Sequence, residues 1–321
     1  MHPPDFWFDD SWPARALEPF GRIYGAVTTA RASRADAPRA GIPVISVGGL
    51  TVGGAGKTPV TMSVVRHLLA RGRKAGVVLR GYGGRLRGPV RVDPAIHTAD
   101  DVGDEALLHA AHGPTWVAKN RFRGVRAAQD AGLDVAVLDD GHQTPGLHKD
   151  LKIVVINGRN PFGNGRVFPA GPLRENPADG LARADAVVMM GEDATRLVPR
   201  LPGQLPVLRA HLSPDAATVA LRGRRVVAFA GIGDPEQFFD MLRALGAQVL
   251  ARHPFEDHQA FGPTDIGPVL DEAFSIGAIP VTTAKDAVRL LPDQRQQVNV
   301  AGIEVKWDYE RALDDLLRRI A

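Results

Sequence analysis

A glycine-rich run ends in a lysine–threonine pair at the start of a predicted helix. The run is Thr51-Val52-Gly53-Gly54-Ala55-Gly56-Lys57-Thr58, and it follows the apolar stretch 42–47. In such a loop the backbone N–H groups cradle a polyphosphate, the lysine reaches the β- and γ-phosphates, and the threonine hydroxyl binds Mg²⁺. Thr51 stands where the strict pattern has its first glycine, so the paired glycines must form the tight turn. The run predicts a phosphate-binding loop and a nucleotide substrate; the alternative is a plain turn.

An apolar strand over 135–138 ends in the two carboxylates Asp139 and Asp140, followed by a glycine. An acidic residue at a strand tip is the usual partner of a phosphate loop, because it orders Mg²⁺ or its water beside the loop hydroxyl. The sequence therefore predicts a Mg²⁺ site formed by Thr58, Asp139 and Asp140. An isolated Asp-Asp-Gly is otherwise a turn.

Side chains suited to proton transfer occur at two further places. Gly103-Asp104-Glu105 opens a helix-like segment, where the acids either cap the helix or accept a proton from an attacking hydroxyl. His258 follows Phe255-Glu256-Asp257, and an imidazole beside carboxylates suits proton transfer near neutral pH. A purely structural histidine is the alternative.

Two glycine-rich turns carry side chains that suit substrate contacts. Tyr82 lies in the turn 79–84, where its ring is available for stacking. Arg174 and Glu175 end the loop 171–175, where the guanidinium suits clamping of an anionic group. The alternatives are a bare turn for the first and a surface ion pair for the second.

Apolar runs alternate with longer amphipathic segments from residue 42 to about 160. This alternation indicates an α/β fold with a mostly parallel sheet covered on both faces, and ligands at the carboxyl ends of its strands. Helices are predicted to begin at Lys57, near Gly103 and near Arg123. The predicted strands are 44–47, 75–79, 115–117, 135–138 and 153–156.

The second half of the chain begins with a proline-rich stretch. Residues 198–214 contain four prolines and are predicted to connect two domains. Beyond them we predict a strand over 225–230, a helix over 235–245 and a strand over 248–251. A chain of 321 residues exceeds what one core usually organises. We therefore predict one domain with the phosphate-binding loop at 41–205 and a smaller α/β C-terminal domain, with its linker, at 206–321; a single large α/β unit is the alternative.

The first 40 residues combine apolar and basic side chains. Spacings of three and four from Phe20 predict an amphipathic helix. Such a segment either lies among the headgroups of an anionic membrane or packs as a terminal helix on its own domain. Its large apolar residues are Phe6, Trp7, Phe8, Trp12, Phe20, Ile23, Tyr24 and Val27, interleaved with Arg15, Arg22, Arg31, Arg34 and Arg39.

The composition excludes several classes of function. No run approaches the roughly 18 apolar residues of a spanning helix, so we predict that the chain does not cross a membrane. The absence of cysteine excludes disulfides and thiol catalysis. A net charge of +3 is small for this length, so nucleic acid is not an expected partner.

In their order and spacing these segments resemble the tetraacyldisaccharide 4′-kinases, the lipid A 4′-kinases of Gram-negative bacteria. The resemblance extends over nearly the whole chain, and the loop is its most specific motif. The matching segments are the aromatic and basic N-terminus, Ser46–Pro59, Arg80-Gly81-Tyr82-Gly83, Gly103-Asp104-Glu105, Leu138-Asp139-Asp140-Gly141, Gly171–Glu175, Ala230-Gly231-Ile232-Gly233, Phe255-Glu256-Asp257-His258 and Thr282-Thr283-Ala284-Lys285-Asp286.

The resemblance implies transfer of the γ-phosphate of ATP to the 4′-hydroxyl of a tetraacylated glucosamine disaccharide 1-phosphate, which gives lipid IVA. It implies a P-loop kinase domain at 41–205 followed by the smaller α/β C-terminal domain. It also implies ATP and Mg²⁺ as cofactors, a lipid acceptor, and a peripheral location on the cytoplasmic face of the bacterial inner membrane. No protein partner is predicted. Asp104 matches the family's base and His258 the histidine that supports it. Lys57 and Thr58 match the loop, and Asp139 and Asp140 match the pair near Mg²⁺.

Two positions depart from the family pattern. After Asp-Asp-Gly the family usually has an apolar residue and then Gln-His, whereas this chain has His142-Gln143-Thr144. Ala284 replaces a common glutamate, so the partner of Lys285 is expected to differ.

The alternative function from another class is a regulatory or metal-delivery GTPase. Its guanine-recognition element would read Asn/Thr-Lys-x-Asp, whereas Lys285 and Asp286 are adjacent. A membrane-binding module without catalysis would leave the acidic pair unexplained.

Overall fold

The computed structural model describes residues 4–33, 37–257 and 259–320. Its strands form a large sheet of nine strands and a small sheet of four. The strands of the large sheet are β1 (Val44–Gly49), β2 (Ala75–Leu79), β3 (Val90–Arg91), β4 (Thr115–Val117), β5 (Val135–Asp139), β6 (Leu151–Asn157), β7 (Ala186–Met190), β8 (Val207–Pro214) and β13 (Ile303–Trp307). Those of the small sheet are β9 (Arg225–Ala230), β10 (Gln248–Pro254), β11 (Ile279–Thr283) and β12 (Asn299–Ala301).

The helices lie between these strands and on both sides of the sheets. They are α1 (Trp12–Ala32), α2 (Lys57–Ala70), α3 (Ala99–Val102), α4 (Asp104–Ala110), α5 (Arg121–Asp130), α6 (Pro177–Ala182), α7 (Ala216–Val219), α8 (Pro235–Leu245), α9 (Pro263–Ser275), α10 (Ala284–Ala287), α11 (Pro292–Gln297) and α12 (Glu310–Leu317). The strands and helices predicted from the sequence are all observed, with shifts of a few residues at some ends.

The large sheet has the strand order β13-β8-β7-β6-β1-β5-β2-β4-β3. Neighbouring strands are parallel except at the two edges, where β3 pairs with β4 and β13 with β8 in antiparallel fashion. All six residues of β1 are buried. A strand that is apolar on both faces is typical of a parallel sheet covered by helices on both sides. The predicted α/β class with a mostly parallel sheet is confirmed.

The small sheet has the order β10-β9-β11-β12 and is parallel throughout. It has its own apolar layer on each face. One layer includes Phe239 and Leu242 from α8, and the other includes Ile266 and Val269 from α9. These helices bury their apolar sides against the sheet, which stabilises it as a separate unit.

The boundary at residue 206 does not coincide with the division between the sheets. Strand β8 lies within the stretch predicted to be a linker, yet it pairs with β7, and β13 near the C-terminus pairs with β8. Leu208 and Val305 from these strands join the core of the large sheet. The chain thus leaves the large sheet after β8, forms the small sheet, and returns. The apolar positions of β8 alternate with exposed ones, a pattern the prolines around it obscure.

Helix α1 is observed where the spacing from Phe20 predicts a helix, but its small residues face inward. Gly21 and Gly25 pack on Val167, and a Cβ added at Gly21 would lie 2.5 Å from the carbonyl oxygen of Val167. The large apolar side chains are left exposed, including Phe20 (63%) and Ile23 (66%). The helix thus packs on its own domain and still presents an apolar surface.

Among the described helices, none has the length and apolar character needed to span a membrane.

Candidate active site

The glycine-rich loop connects β1 to α2 at the carboxyl edge of the large sheet. Gly53 (φ 104°) and Gly56 (φ 86°) adopt the left-handed conformation that glycine tolerates best. The Lys57 ammonium donates a hydrogen bond to the carbonyl oxygen of Gly53 at 3.0 Å, so the lysine side chain folds back over the loop. Residues 52–58 line a cleft, whereas Thr51 lies outside it and bridges to Leu173.

Asp139 ends β5 next to β1 and is fully buried. The Thr58 hydroxyl lies 3.1 Å from its Oδ2, the Thr61 hydroxyl 3.0 Å from its Oδ1, and His109 Nε2 2.7 Å from its Oδ2. Burial opposes ionisation, but the hydrogen bond and charge of His109 and the hydrogen bond from Thr61 outweigh it, so the pKa of Asp139 is lowered. The predicted juxtaposition of Thr58 and Asp139 is therefore observed.

Asp140 turns out of the strand into the cleft. It is a non-glycine residue with φ of 52°, a conformation that costs free energy and recurs at functional sites. Its Oδ2 accepts a hydrogen bond from Arg174 at 2.8 Å, and its Oδ1 lies 3.8 Å from Lys57 Nζ. That Oδ1 is buried and accepts no hydrogen bond from the described residues.

These oxygen atoms fit a magnesium ion. Mg²⁺ takes one or two carboxylates and completes its shell with water and substrate phosphates. The Thr58 hydroxyl, Asp139 and the buried Oδ1 of Asp140 are hard oxygen donors of this kind. Within the described ranges, no group of three or more His, Cys, Asp or Glu side chains forms a metal site by itself. The chemistry of the donor set therefore suits a metal that arrives with a nucleotide.

The segment 171–175 lies along the phosphate loop. Val52 N–H donates to the carbonyl oxygen of Pro172 and Arg174 N–H to that of Leu50, both at 2.7 Å. This pairing brings the Arg174 guanidinium to Asp140 and the cleft.

Glu175 lies behind the cleft, which differs from the substrate contact predicted for it. The side chain is fully buried and accepts hydrogen bonds from Gln143 at 2.9 Å and Arg183 at 2.5 Å. A carboxylate buried among its own partners is stabilised as a structural ion pair. Its residue type alone could not distinguish this from a surface role.

Asp104 is the first residue of α4 and lines the same cleft. Gly103 before it has φ of 86°, and a Cβ there would lie 2.2 Å from the carbonyl oxygen of Tyr82. This close approach packs the two predicted motifs together. Asp104 lies 3.6 Å from Arg289 Nε. For Glu105, by contrast, desolvation raises the pKa of the carboxyl, and the charges of Asp139 and Asp140 raise it further. The two adjacent acids thus have opposite electrostatic surroundings.

The small sheet contributes positive charge to the same cleft. Arg289 follows α10, is 3% exposed in its side chain, and pairs with Asp286 and Asp104. Lys285 Nζ lies 3.6 Å from Asp257. Lys285 therefore has a carboxylate partner, although Ala284 replaces the glutamate that is common in the family. His258, predicted as a catalytic residue, lies outside the described residues.

The cleft between the two sheets has a volume of about 2360 Å³. Pockets for a single small molecule measure about 300–1,000 Å³, so this cleft has room for a nucleotide together with a second, large substrate. Its lining includes the loop 52–58, Tyr82, Asp104, Asp139, Asp140 and Arg174. Tyr82 is 84% exposed at the rim. The structure thus brings together the predicted residues other than Thr51, Glu175 and the undescribed His258.

Sequence reasoning missed three residues of this site. Arg121 begins α5, lines the cleft and has a buried Nε without a hydrogen-bond partner among the described residues. Burial, and then the charge of Arg80, lowers the pKa of Arg121 to about 10, so it stays cationic at neutral pH. A cation just after strand β4, at the carboxyl edge, is a signal that could have revealed Arg121. No comparable sequence signal identifies Arg289 or His109 as residues of the site.

His142, which departs from the family pattern, lies away from the cleft. It is 2% exposed, and its Nε2 donates to the carbonyl oxygen of Gly180 at 3.0 Å. Burial lowers the pKa of His142 to about 4, so the ring is neutral at physiological pH. Gln143, the next residue, lines the cleft instead.

A parallel sheet whose central strand runs into a glycine loop, with Lys57 and Thr58 opposite Asp139, defines a P-loop phosphotransferase. The family profile of the tetraacyldisaccharide-1-P 4′-kinases, LpxK, matches residues 13–321. The chain belongs to this kinase family, which confirms the resemblance drawn from its motifs.

Individual proteins agree with this assignment. The chain is 52% identical over 324 residues to the tetraacyldisaccharide 4′-kinase of Rhodospirillum rubrum, covering 100% of this chain and 98% of that protein. It is 49% identical to the Gluconacetobacter diazotrophicus enzyme, covering 99% and 97%. Its fold is similar to that of LpxK from Aquifex aeolicus, solved in complex with ATP, with a TM-score of 0.77 and 29% identity over 96% and 99% of the two chains. These relatives are kinases and not GTPases.

Proposed function

We propose that this kinase transfers the γ-phosphate of ATP to the 4′-hydroxyl of a tetraacyl glucosamine disaccharide 1-phosphate and forms lipid IVA, with Mg²⁺ as cofactor. The observation that carries the proposal is that the phosphate loop, the acidic pair and Asp104 line one cleft. The family description names this acceptor, and the Aquifex relative is solved with ATP.

The donor nucleotide is held by the large sheet. Backbone N–H groups of the loop 52–58 surround the phosphates, and the Lys57 ammonium exchanges its contact with the Gly53 carbonyl for the β- and γ-phosphates. Thr58, Asp139 and Asp140 would hold Mg²⁺, which when bound neutralises charge on the phosphates. Arg174 and Arg121 add positive charge near the transferred group.

The acceptor hydroxyl is activated from α4. Asp104 accepts the proton of the 4′-hydroxyl while the 4′-oxygen forms a bond to the γ-phosphorus and the bond from that phosphorus to the β–γ bridging oxygen breaks. The products are the 4′-phosphate and ADP. Arg289, 3.6 Å from Asp104, holds the carboxylate in place. The family resemblance assigns His258 to support Asp104, and the ring of Tyr82 at the rim suits contact with the acceptor sugar.

The lipid acceptor requires access from a membrane, and α1 supplies a suitable surface. Phe20, Ile23, Tyr24 and Val27 recur at helical spacing and are 43–66% exposed. Exposed apolar side chains on one helix face favour insertion into the headgroup region. Tyr24 also lines the cleft. We therefore propose a peripheral location on the cytoplasmic face of the inner membrane. The part of this segment at residues 1–3 and 34–36 lies outside the described residues.

A kinase assay tests the proposed reaction. Wild-type protein receives ATP, Mg²⁺ and detergent-dispersed tetraacyldisaccharide 1-phosphate, and the 4′-phosphorylated product is identified by mass spectrometry. We expect product that is absent with Lys57→Ala, and larger thermal stabilisation by ATP than by GTP. Equal product from the wild type and Lys57→Ala would reject the proposal, and preferential stabilisation by GTP would favour a GTPase.

Vesicle sedimentation tests the membrane surface. The double variant Phe20→Ser/Ile23→Ser should bind anionic vesicles roughly tenfold more weakly, because each change removes an apolar side chain worth up to about 2 kcal/mol on burial. Phe274→Ser is the control, since Phe274 is 54% exposed on α9, away from α1. Equal loss of binding in both variants would contradict a role specific to α1.

A further inference from the structure

His109 connects the helix that carries Asp104 to the proposed metal site. It is 2% exposed, and its Nε2 donates to Asp139 Oδ2 at 2.7 Å. Asp104 is the first residue of α4 and His109 the sixth. One short helix therefore bears the proposed base at its start and, five residues later, a contact to a metal-site carboxylate.

The contacts of Asp139 come from two elements. Thr58 and Thr61 belong to α2, which continues from the phosphate loop, whereas His109 belongs to α4. A carboxylate offers about four lone-pair positions, so these three contacts leave room for one further ligand. The direction in which the remaining lone pair of Asp139 points depends on all three contacts.

Helix α4 needs such contacts because it has seven residues, too few to hold its own position. At its start, Asp104 pairs with Arg289 of the small sheet. Towards its end, His109 bonds to Asp139 of the large sheet, while Ala106 and Leu107 pack in the core. The separation between base and metal site therefore depends on His109.

We propose that His109 is a positioning residue that orients Asp139 beside Thr58 and fixes α4 relative to the metal site. The inference rests on the proposed function, since it concerns the Mg²⁺ that function requires. Residues that orient metal ligands typically contribute about 10–100-fold to metal affinity or activity.

Three variants separate this role from a general contribution to folding. His109→Leu removes the donor at similar volume, and His109→Gln retains an N–H donor of comparable reach. His112→Leu is the matched control, because His112 lies just beyond the same helix and is exposed. Calorimetry measures the affinity of each protein for a non-hydrolysable ATP analogue without metal and then for Mn²⁺ in its presence.

We expect His109→Leu to bind Mn²⁺ about tenfold more weakly and to need correspondingly more Mg²⁺ for half-maximal turnover. His109→Gln should stay within about threefold of wild type, and His112→Leu should equal it. The affinity for the metal-free analogue should be unchanged in all three. If His109→Leu does not fold, His109→Asn, whose amide is too short to reach Asp139, should show the same loss.

Unchanged Mn²⁺ affinity in a folded His109→Leu protein would overturn the inference, as would equal losses with and without metal. Failure of the wild type itself to bind Mn²⁺ would instead reject the proposed metal site.

Discussion

The edges of the two sheets face each other across the cleft and are built differently. At the large sheet, the seven consecutive loop residues 52–58 and the tip of a neighbouring strand form the phosphate and metal site. At the small sheet, Asp257, Lys285 and Arg289 come from separate loops and a short helix. The first edge is local in sequence, and the second is assembled by tertiary packing.

This difference indicates a division of labour. The donor side has its ligands fixed by backbone geometry and by hydrogen bonds around Asp139, as a preorganised electrostatic site requires. The acceptor side depends on Arg289, which follows α10 next to the small sheet and pairs with Asp104 at the start of α4. Substitutions at the large-sheet edge should therefore weaken both nucleotide binding and phosphoryl transfer. Substitutions at the small-sheet edge should slow transfer and leave nucleotide binding unchanged.

Lys57 and Lys285, which line the cleft from different edges, test this division with a large expected effect. Lys57→Ala should lower kcat by about 10²–10³-fold and weaken ATP binding, because it removes a charge at the transferred phosphate. Lys285→Ala should lower kcat less than about tenfold, because its ammonium lies beside Asp257 on the other edge. Steady-state kinetics and calorimetric ATP affinity measure both. A larger loss of ATP affinity in Lys285→Ala would reverse the assignment of the edges.

Arg289→Met tests how much the small sheet depends on its buried ion pair. The change leaves the fully buried carboxylate of Asp286 without its cation and should lower the free energy of unfolding by about 3 kcal/mol. Asp286→Asn added to Arg289→Met should recover part of that loss, because position 286 then carries no buried charge. Urea unfolding measures both. A single variant as stable as wild type would show that the contact contributes nothing to stability.

The smallest expected effect concerns His142, which lies outside both edges. The unfolded chain protonates this residue near its ordinary pKa of 6.5, whereas burial lowers the pKa in the folded protein to about 4. Between these values the unfolded state binds more protons, so the free energy of unfolding falls as pH falls from 6.5 to 4.

His142→Gln should make that fall shallower by about 1–3 kcal/mol. Urea unfolding at pH 7 and pH 5 measures it, with His211→Gln as the exposed control. An identical pH dependence in His142→Gln and wild type would contradict the account of His142 as a buried, neutral ring.

The sequence was sufficient to predict the large-sheet edge. Glycine spacing, a lysine–threonine pair and acids at a strand tip lie within short segments, and the parallel sheet brings their ends together. The α/β class and most elements of the first half follow from apolar runs with helix-length gaps. The inward face of α1 could not be predicted in this way. The spacing from Phe20 identifies apolar residues that are exposed, whereas the residues that pack on Val167 are glycines.

The remaining contacts depend on long-range packing that leaves no local pattern. Arg289 is 185 positions from Asp104, and His109 is 30 positions from Asp139. The prolines of residues 198–214 predict a linker, but only Pro214 lies within β8, as its last residue. The prediction of a substrate contact for Glu175 rests on its place beside Arg174 in the loop 171–175, and nothing local indicates that its side chain is buried.

The most direct test of the division between the edges is Asp104→Asn, which removes the proposed base without touching the phosphate loop. We expect single-turnover phosphoryl transfer from pre-bound ATP to the lipid acceptor to slow by about 10²–10⁴-fold. Calorimetric ATP affinity should stay within about twofold of wild type, since Asp104 belongs neither to the phosphate loop nor to the acidic pair. A variant that transfers phosphate at a near-normal rate, or that loses ATP binding along with transfer, would contradict the assignment of Asp104 to the acceptor side.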